Sequence, residues 1–260
     1  MLPYVTIGSL SLNTFTVVRV LACVVAVALV WIQWKADPSL GKRRWRAAFF
    51  VMAVGLCVGT IGWRIWEVFR TAILSQVVSD PFRLNQASAW YFAGFIMTLL
   101  GLALALRLVR VPVLKGLDLF APSITLGHAI QRVGCFLAGD GCYGHATDLP
   151  WGIAFPNGSV PITIPVHPTM LYEAILMVFL FVYLWRKQRA WPAGVSFALC
   201  LVVVGVSVFL IHYIQLVPKV AWGLTEAQLF CLLLVPAGCW MLTKTLHGQR
   251  ISLRGSRATT

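Results

Sequence analysis

Long apolar runs alternate with short basic or proline-containing breaks along almost the whole chain. A membrane-crossing helix needs about 20 mostly apolar residues. Seven stretches reach roughly that length, near residues 15–34, 47–69, 90–109, 117–138, 168–185, 193–216 and 225–243. Asp37-Pro38, Asp80-Pro81, Val111-Pro112, Trp191-Pro192 and Val217-Pro218 fall between them, where proline ends a helix without breaking its interior. The pattern predicts an all-α integral membrane protein of seven transmembrane helices, forming a single polytopic membrane domain over residues 1–260. The fourth run is the least hydrophobic, carrying Asp118, His128, Gln131 and Arg132. It leads into a polar loop, rich in Gly and Pro, at roughly 139–167. Long loops of this kind are often functional.

Composition supports the bilayer as solvent. Hydrophobic residues make up 59% of the chain and charged ones 11%, whereas a soluble domain carries about a quarter charged residues. The net charge of +13 would suit nucleic acid only if it formed a face, and it does not. The breaks after odd-numbered runs, together with the C-terminal tail, hold fifteen Lys and Arg, among them Lys42, Arg43, Arg110, Lys187 and Arg254. The opposite side holds three: Arg70, Arg83 and Lys219. By the positive-inside rule the N-terminus lies outside the cytoplasm and the C-terminus inside. This places the loop between the fourth and fifth spans, and the segment 70–89, on the outer side. The basic tail, with Arg250, Arg254 and Arg257, is expected to anchor to anionic headgroups. Met1 to Asn13 has neither a positive n-region nor a cleavage signal, so the first run is expected to be a permanent span.

Three arginines remain within the spans: Arg19, Arg64 and Arg132. Glu67 follows Arg64 by three residues on the same helical face, a spacing that suits an ion pair. A charge in hydrocarbon costs a few kcal/mol even on insertion scales, so each of these groups is expected to face protein or a wet cavity. Arg132 sits in the densest polar stretch, Gly127 to Gly144, where five glycines in 18 residues allow close helix packing and irregular backbone beside a cavity. Its forked guanidinium suits a phosphate or carboxylate. Asp140 lies near the outer face, within reach of lipid headgroups. A second cluster, His167-Pro168-Thr169-Met170-Leu171-Tyr172-Glu173, opens the fifth span. Thr169 is expected to cap that helix, with Tyr172 at interface depth and Glu173 one turn in. Of the seven cysteines, Cys23, Cys57, Cys200, Cys231 and Cys239 lie in apolar runs as small hydrophobes. Cys135 and Cys142, with His128 and His145, match no standard zinc spacing. No metal and no other cofactor is therefore expected, and a Cys135–Cys142 disulfide is open but unforced.

These residues resemble the bacterial prolipoprotein diacylglyceryl transferase family. Arg132-Val133-Gly134-Cys135-Phe136, Ala138-Gly139-Asp140 and Tyr143-Gly144 are similar to the signature of its divergent members, as are Thr147-Asp148-Leu149-Pro150-Trp151-Gly152 and Phe155-Pro156. His167-Pro168-Thr169 with Leu171-Tyr172-Glu173 resembles the family's H-P-[ST]-Q-L-Y-E, Met170 replacing Gln. Ile7-Gly8-Ser9-Leu10-Ser11-Leu12, Gly62-Trp63-Arg64 and Gly223-Leu224-Thr225 with Gln228 extend the likeness over essentially the whole chain. The family's architecture is likewise seven spans, N-out and C-in.

The resemblance implies a phospholipid-dependent transferase of the bacterial inner membrane. Such an enzyme moves the diacylglyceryl group of phosphatidylglycerol onto the lipobox cysteine of a preprolipoprotein, at the outer face. It implies that Arg132 binds the headgroup phosphate and steadies charge on the leaving group, that Asp140 stands near the family's signature glutamate, and that Glu173 orients the arginine. Arg64, Tyr91, Gly144 and Tyr172 are the other expected headgroup contacts. A thiol with a pKa of about 8.5 needs a base or a strong field to attack at neutral pH. His128, one turn before Arg132, and His212 are the chief candidates, with His145 and His167 behind them.

Several positions depart from the family pattern. Phe15 replaces a tyrosine, Trp90-Tyr91-Phe92-Ala93-Gly94 replaces a histidine- or tyrosine-glycine motif, and Cys135 replaces asparagine. In the sixth span the pattern R-x-x-x-E-F-x-R becomes Val208, then His212-Tyr213-Ile214-Gln215. The same residues therefore also fit a divergent paralogue with this phospholipid site and another acceptor or donor, or a non-catalytic lipid-binding membrane protein.

Overall fold

The computed structural model describes residues 1–8, 10–40, 45–74 and 90–258. Seven long helices are present among them: α1 (Thr14–Ala36), α2 (Trp45–Leu74), α3 (Trp90–Leu108), α4 (Val113–Ala138), α5 (Thr169–Lys187), α6 (Val195–Ile211) and α7 (Glu226–Ala258). Each lies on one of the predicted runs. The stretches Thr14–Ala36, Thr169–Ala190 and Glu226–Gly248 are long and apolar enough to cross a membrane, and shorter apolar segments occupy α2, α3 and α6. Three two-stranded antiparallel hairpins complete the architecture: β1 (Tyr4–Ile7) with β2 (Leu10–Asn13), β3 (Ile153–Phe155) with β4 (Ile162–Val166), and β5 (Lys219–Ala221) with β6 (Leu224–Thr225).

α4 is the hub, packing against α1, α3, α5 and α6. The main core gathers on it, with Phe120 and Ala121 of α4 meeting Val30, Leu106, Met177 and Phe197 from the surrounding helices. The apolar surface outside is large: Val24 is 59%, Phe179 70% and Leu233 72% exposed, as expected of side chains that face lipid. α1 and α4 approach closely because Gly134 lacks a side chain; a Cβ there would stand 2.9 Å from Val18. This is the small-residue contact used where no hydrophobic force drives helices together.

The helix ends sort into two sets. α1, α5 and α7 begin, and α4 and α6 end, at one end of the bundle. At the other end lie Lys35 in the last turn of α1, Arg107 of α3, and Arg186 and Lys187 of α5. There they also complement the negative helix termini. Lys115 Nζ pairs with Asp37 Oδ2 at 3.0 Å, tying the end of α1 to the start of α4.

Asp118 turns out to be a distant cap. Its carboxylate accepts from Gly194 N at 2.6 Å and from Phe197 N at 2.8 Å, satisfying orphan donors at the start of α6 from a different helix. α7 opens with a capping box: Gln228 N donates to Thr225 Oγ1 at 3.2 Å, while Thr225 N donates to Gln228 Oε1 at 2.9 Å.

Four expectations are corrected. Thr169 does not cap α5, because Pro168 occupies the cap position without a side-chain bond and the Thr169 hydroxyl donates instead to the Cys142 carbonyl at 2.6 Å. The sixth run yields a helix that stops at Ile211, since residues 212–217 turn away to pair with the 143–145 segment. The last helix does not end near 243 but continues to Ala258, there being no proline or cap after Lys244 to stop it. Part of the long loop is β-structure. The segment 75–89, with Arg83, and the side chains of Glu67, Arg70, Tyr91, Arg250, Arg254 and Arg257 lie outside the described residues.

Replacing Asp118 with Ala should lower stability by about 1–2 kcal/mol, the usual cost of a lost cap. Thermal unfolding in detergent should show a lowered midpoint, with Asp118→Asn intermediate because it keeps one acceptor.

Candidate active site

α4 ends against the long loop. Gly139 (φ 58) takes the left-handed position that closes the helix, its N–H reaching Cys135 O at 2.9 Å. The tight approach of the loop demands glycine there too, since a Cβ would lie 2.7 Å from Gly158 Cα. Ser159 N and Val160 N donate to Ala138 O and Gly139 O, both at 2.8 Å. The β3–β4 hairpin is thereby laid over the helix end. A small core of Cys135, Tyr143, Phe155, Val166 and Met170 sits beneath it, with the Tyr143 and Phe155 rings stacked at 5.4 Å. Burial pushes the Tyr143 phenol above its ordinary range, so it stays a neutral donor to Val160 O at 2.9 Å.

Facing this cap, α4 and α5 bring three predicted residues together. Arg132 Nε donates to Glu173 Oε2 at 2.7 Å, and His128 Nε2 lies 3.0 Å from the same oxygen. Arg132 Nε and His128 Nε2 are 3.3 Å apart. A guanidinium offers only donors, and an imidazole nitrogen either gives or accepts. The arrangement is satisfied when both groups donate to Glu173 and the Arg–His contact is mere proximity. Glu173 is buried, at 1% exposure, and its other oxygen, Oε1, has no partner among the described residues. The i, i+4 spacing of His128 and Arg132 places them on one face of α4; α5 supplies the carboxylate one turn from its start.

The other predicted residues spread around this center. His212, at the end of α6, is buried, and its Nδ1 contacts Thr225 Oγ1 at 3.0 Å. With that oxygen already accepting from Gln228 N, the hydroxyl proton is available to Nδ1. Asp140 turns back on its own loop, Oδ1 accepting from Cys142 N at 3.2 Å. Tyr172 Oη accepts from Trp151 Nε1 at 2.9 Å and lies 3.2 Å from His167 Nδ1, so the phenol fastens the loop to α5 and is more than a belt anchor. Gly144 is explained by packing: its N–H reaches His167 O at 2.8 Å, and a Cβ would meet Ile214 O at 2.8 Å. Arg64 is exposed on α2, and Tyr91 starts α3. Arg19 stands over the Phe15 ring at 5.7 Å. Cys135 and Cys142 are free thiols.

Two residues of the site were not singled out by sequence reasoning. Gln215 Nε2 donates to Cys142 O at 3.2 Å, binding the turn after α6 to the loop, and Trp151 is the partner of Tyr172. Gln215 entered the sequence reading only as a departure from the family pattern, and Trp151 only as part of the family-like loop motif.

A family model described as prolipoprotein diacylglyceryl transferase matches residues 3–244. The phosphatidylglycerol–prolipoprotein diacylglyceryl transferase of Methylococcus capsulatus is 28% identical over 237 residues, covering 84% of this chain and 87% of its own. The protein of the same name from Clostridium tetani is 30% identical over 66% of this chain and 69% of its own. That from Pseudomonas entomophila is 27% identical over 79% of this chain and 78% of its own. With nearly the full length matched and the signature residues gathered at one helix end, the chain belongs to the prolipoprotein diacylglyceryl transferase family.

Proposed function

We propose that the chain transfers the diacylglyceryl group of phosphatidylglycerol to the lipobox cysteine of preprolipoproteins, working as a single seven-span domain in the bacterial inner membrane. The observation that carries this reading is the Arg132–Glu173–His128 cluster, held at 2.7–3.3 Å inside a mostly apolar bundle. Charges so placed are expensive and are kept where function needs them.

Orientation follows from the two sets of helix ends. Lys35, Arg107, Arg186 and Lys187 share the end away from the cluster, which the positive-inside rule puts in the cytoplasm. The cluster and its capping loop then face outward, at headgroup depth.

In the reaction the acceptor sulfur, as thiolate, attacks the terminal glycerol carbon of the diacylglyceryl unit. A sulfur–carbon bond forms and the carbon–oxygen bond to phosphate breaks. The electron pair leaves on glycerol phosphate, whose charge rises from one to two, and the thiol proton passes to water. The group that gains charge is the phosphate. A guanidinium, with its fork of donors, is the side chain best suited to it. Glu173, bonded through Nε, fixes the plane of that guanidinium so that little reorganisation is needed as charge develops.

Arg132→Ala should lower transfer at least roughly 100-fold, the usual cost of losing a donor to a developing anion, and Arg132→Lys should recover only part. Mass spectrometry of a lipobox peptide incubated with protein and phosphatidylglycerol measures this directly. Wild-type protein that folds, binds the lipid and leaves the peptide unmodified would move the reading to a paralogue with another acceptor.

The ion pair has its own signature. Glu173→Ala should destabilise the fold by about 3–5 kcal/mol, because it removes the buried carboxylate that Arg132 and His128 share. The Arg132→Ala, Glu173→Ala double variant should lose less than the sum of the singles, with a coupling of about 1–3 kcal/mol in unfolding experiments. For topology, green fluorescent protein fused after Thr260 should fluoresce, and alkaline phosphatase fused there should stay inactive.

A further inference from the structure

Spacing along the chain gives Cys135 and Cys142 no standard metal motif, but the fold changes their relation. Gly139 and Gly141, at φ 58 and 91, reverse the chain after α4. Asp140 and Cys142 are brought back against Cys135. One ligand atom from each of Cys135, Asp140 and Cys142 lies within 4.8 Å of the other two. In a tetrahedral site with metal–sulfur bonds of about 2.3 Å, two sulfurs stand roughly 3.8 Å apart, so small side-chain shifts suffice to close the three groups on an ion. The returning backbone is fixed from three sides. Cys142 N donates to Asp140 Oδ1 at 3.2 Å, and Cys142 O accepts from Thr169 Oγ1 at 2.6 Å and from Gln215 Nε2 at 3.2 Å. Cys135 is buried while Asp140 and Cys142 are half-buried, so the cluster has a closed inner side and an accessible outer one.

We propose that Cys135, Asp140 and Cys142 bind a thiophilic divalent cation of the zinc type, whose fourth position takes the acceptor thiol. This rests on the transferase reading and gives it a source for the thiolate. His128 has Nε2 engaged by Glu173 and His212 has Nδ1 engaged by Thr225, and a thiol held by the ion needs neither ring as its base. Three protein ligands with an open position are the mark of a working metal site rather than a closed structural one. A thiol that coordinates the ion is deprotonated outright, which delivers the thiolate that alkylation needs. Loading the ion releases the protons of Cys135 and Cys142, and binding the acceptor releases a third, all to water. Two thiolates and a carboxylate around a doubly charged ion leave one negative charge, and Arg132, three residues before Cys135 on the same face of α4, brings positive charge to it. The acceptor sulfur would thus be held about one helical turn from the group proposed to grip the phosphate. The attack and the leaving group are as written above.

The test uses the purified full-length protein, kept reduced in lipid nanodiscs and titrated with Co(II). One equivalent should bind, with a thiolate charge-transfer band in the near ultraviolet and the intense visible bands of tetrahedral cobalt. Asp140→Asn and Cys142→Ser should each weaken binding roughly tenfold or more. A lipobox peptide should shift the visible bands, and the same peptide with serine for cysteine should not. Wild-type protein without saturable Co(II) or Zn(II) uptake overturns the site, as does a mass two hydrogens lower showing Cys135 and Cys142 joined as a disulfide. Metal bound without any response to the peptide overturns the acceptor role. Full transfer by protein stripped with a chelator also overturns it and leaves the transferase reading standing. Metal-loaded protein that responds to the peptide yet transfers nothing from phosphatidylglycerol sinks the transferase reading alone.

Discussion

A guanidinium on α4 and a carboxylate on α5, 2.7 Å apart in an apolar bundle, set the terms for everything around them. Taking both charges out of water costs several kcal/mol each, and their attraction repays that only with good geometry and further hydrogen bonds. His128 contributes one of those bonds. The pair therefore fixes the relative height and rotation of α4 and α5, and the glycines of α4 let α1 close against its flank. A bundle held only by apolar contact would have no such reason to prefer one register, because lipid tails solvate leucine as well as another leucine does.

The capping loop follows from the same constraint. Irregular backbone at membrane depth survives only where protein satisfies its polar groups, and this loop meets that demand thoroughly. Its N–H groups reach the last carbonyls of α4, its Cys142 carbonyl takes donors from α5 and from the turn after α6, and Tyr143 and Tyr172 tie its two ends. The loop is thus less a flexible connection than a lid fastened to three elements, with Arg132, His128 and Glu173 beneath its edge.

What the sequence made legible was what depends on long windows. A run of about 20 apolar residues is a strong signal, and each of the seven produced a helix. Arg132 and Glu173 were each legible because ionisable groups in such runs are rare, and the family resemblance implied that the one orients the other. Features that depend on a distant partner were not. Asp118 looked like an oddity of a polar span, yet its partners lie at 194 and 197; Thr169 had the sequence of a cap, and a carbonyl 27 residues away took its hydroxyl. The small hairpins were missed for another reason. A strand of three or four residues has no period to read, and the β5–β6 turn is made by Trp222 and Gly223, both at positive φ, although tryptophan rarely adopts that conformation.

Two of the positions where this chain departs from the family pattern hold the scaffold. Gln215, where the pattern has arginine, ties down the Cys142 carbonyl, and His212, where it has glutamate, is joined through Thr225 to the capping box of α7. An arginine at 215 would bring a second full charge to the loop but would have to leave that carbonyl to reach a phosphate. The exchange trades mobile positive charge for a rigid loop around the two cysteines. A transferase built this way has less charge with which to stabilise a departing phosphate, and gains most from a preorganised sulfur on the attacking side. That is the side on which Cys135, Asp140 and Cys142 meet.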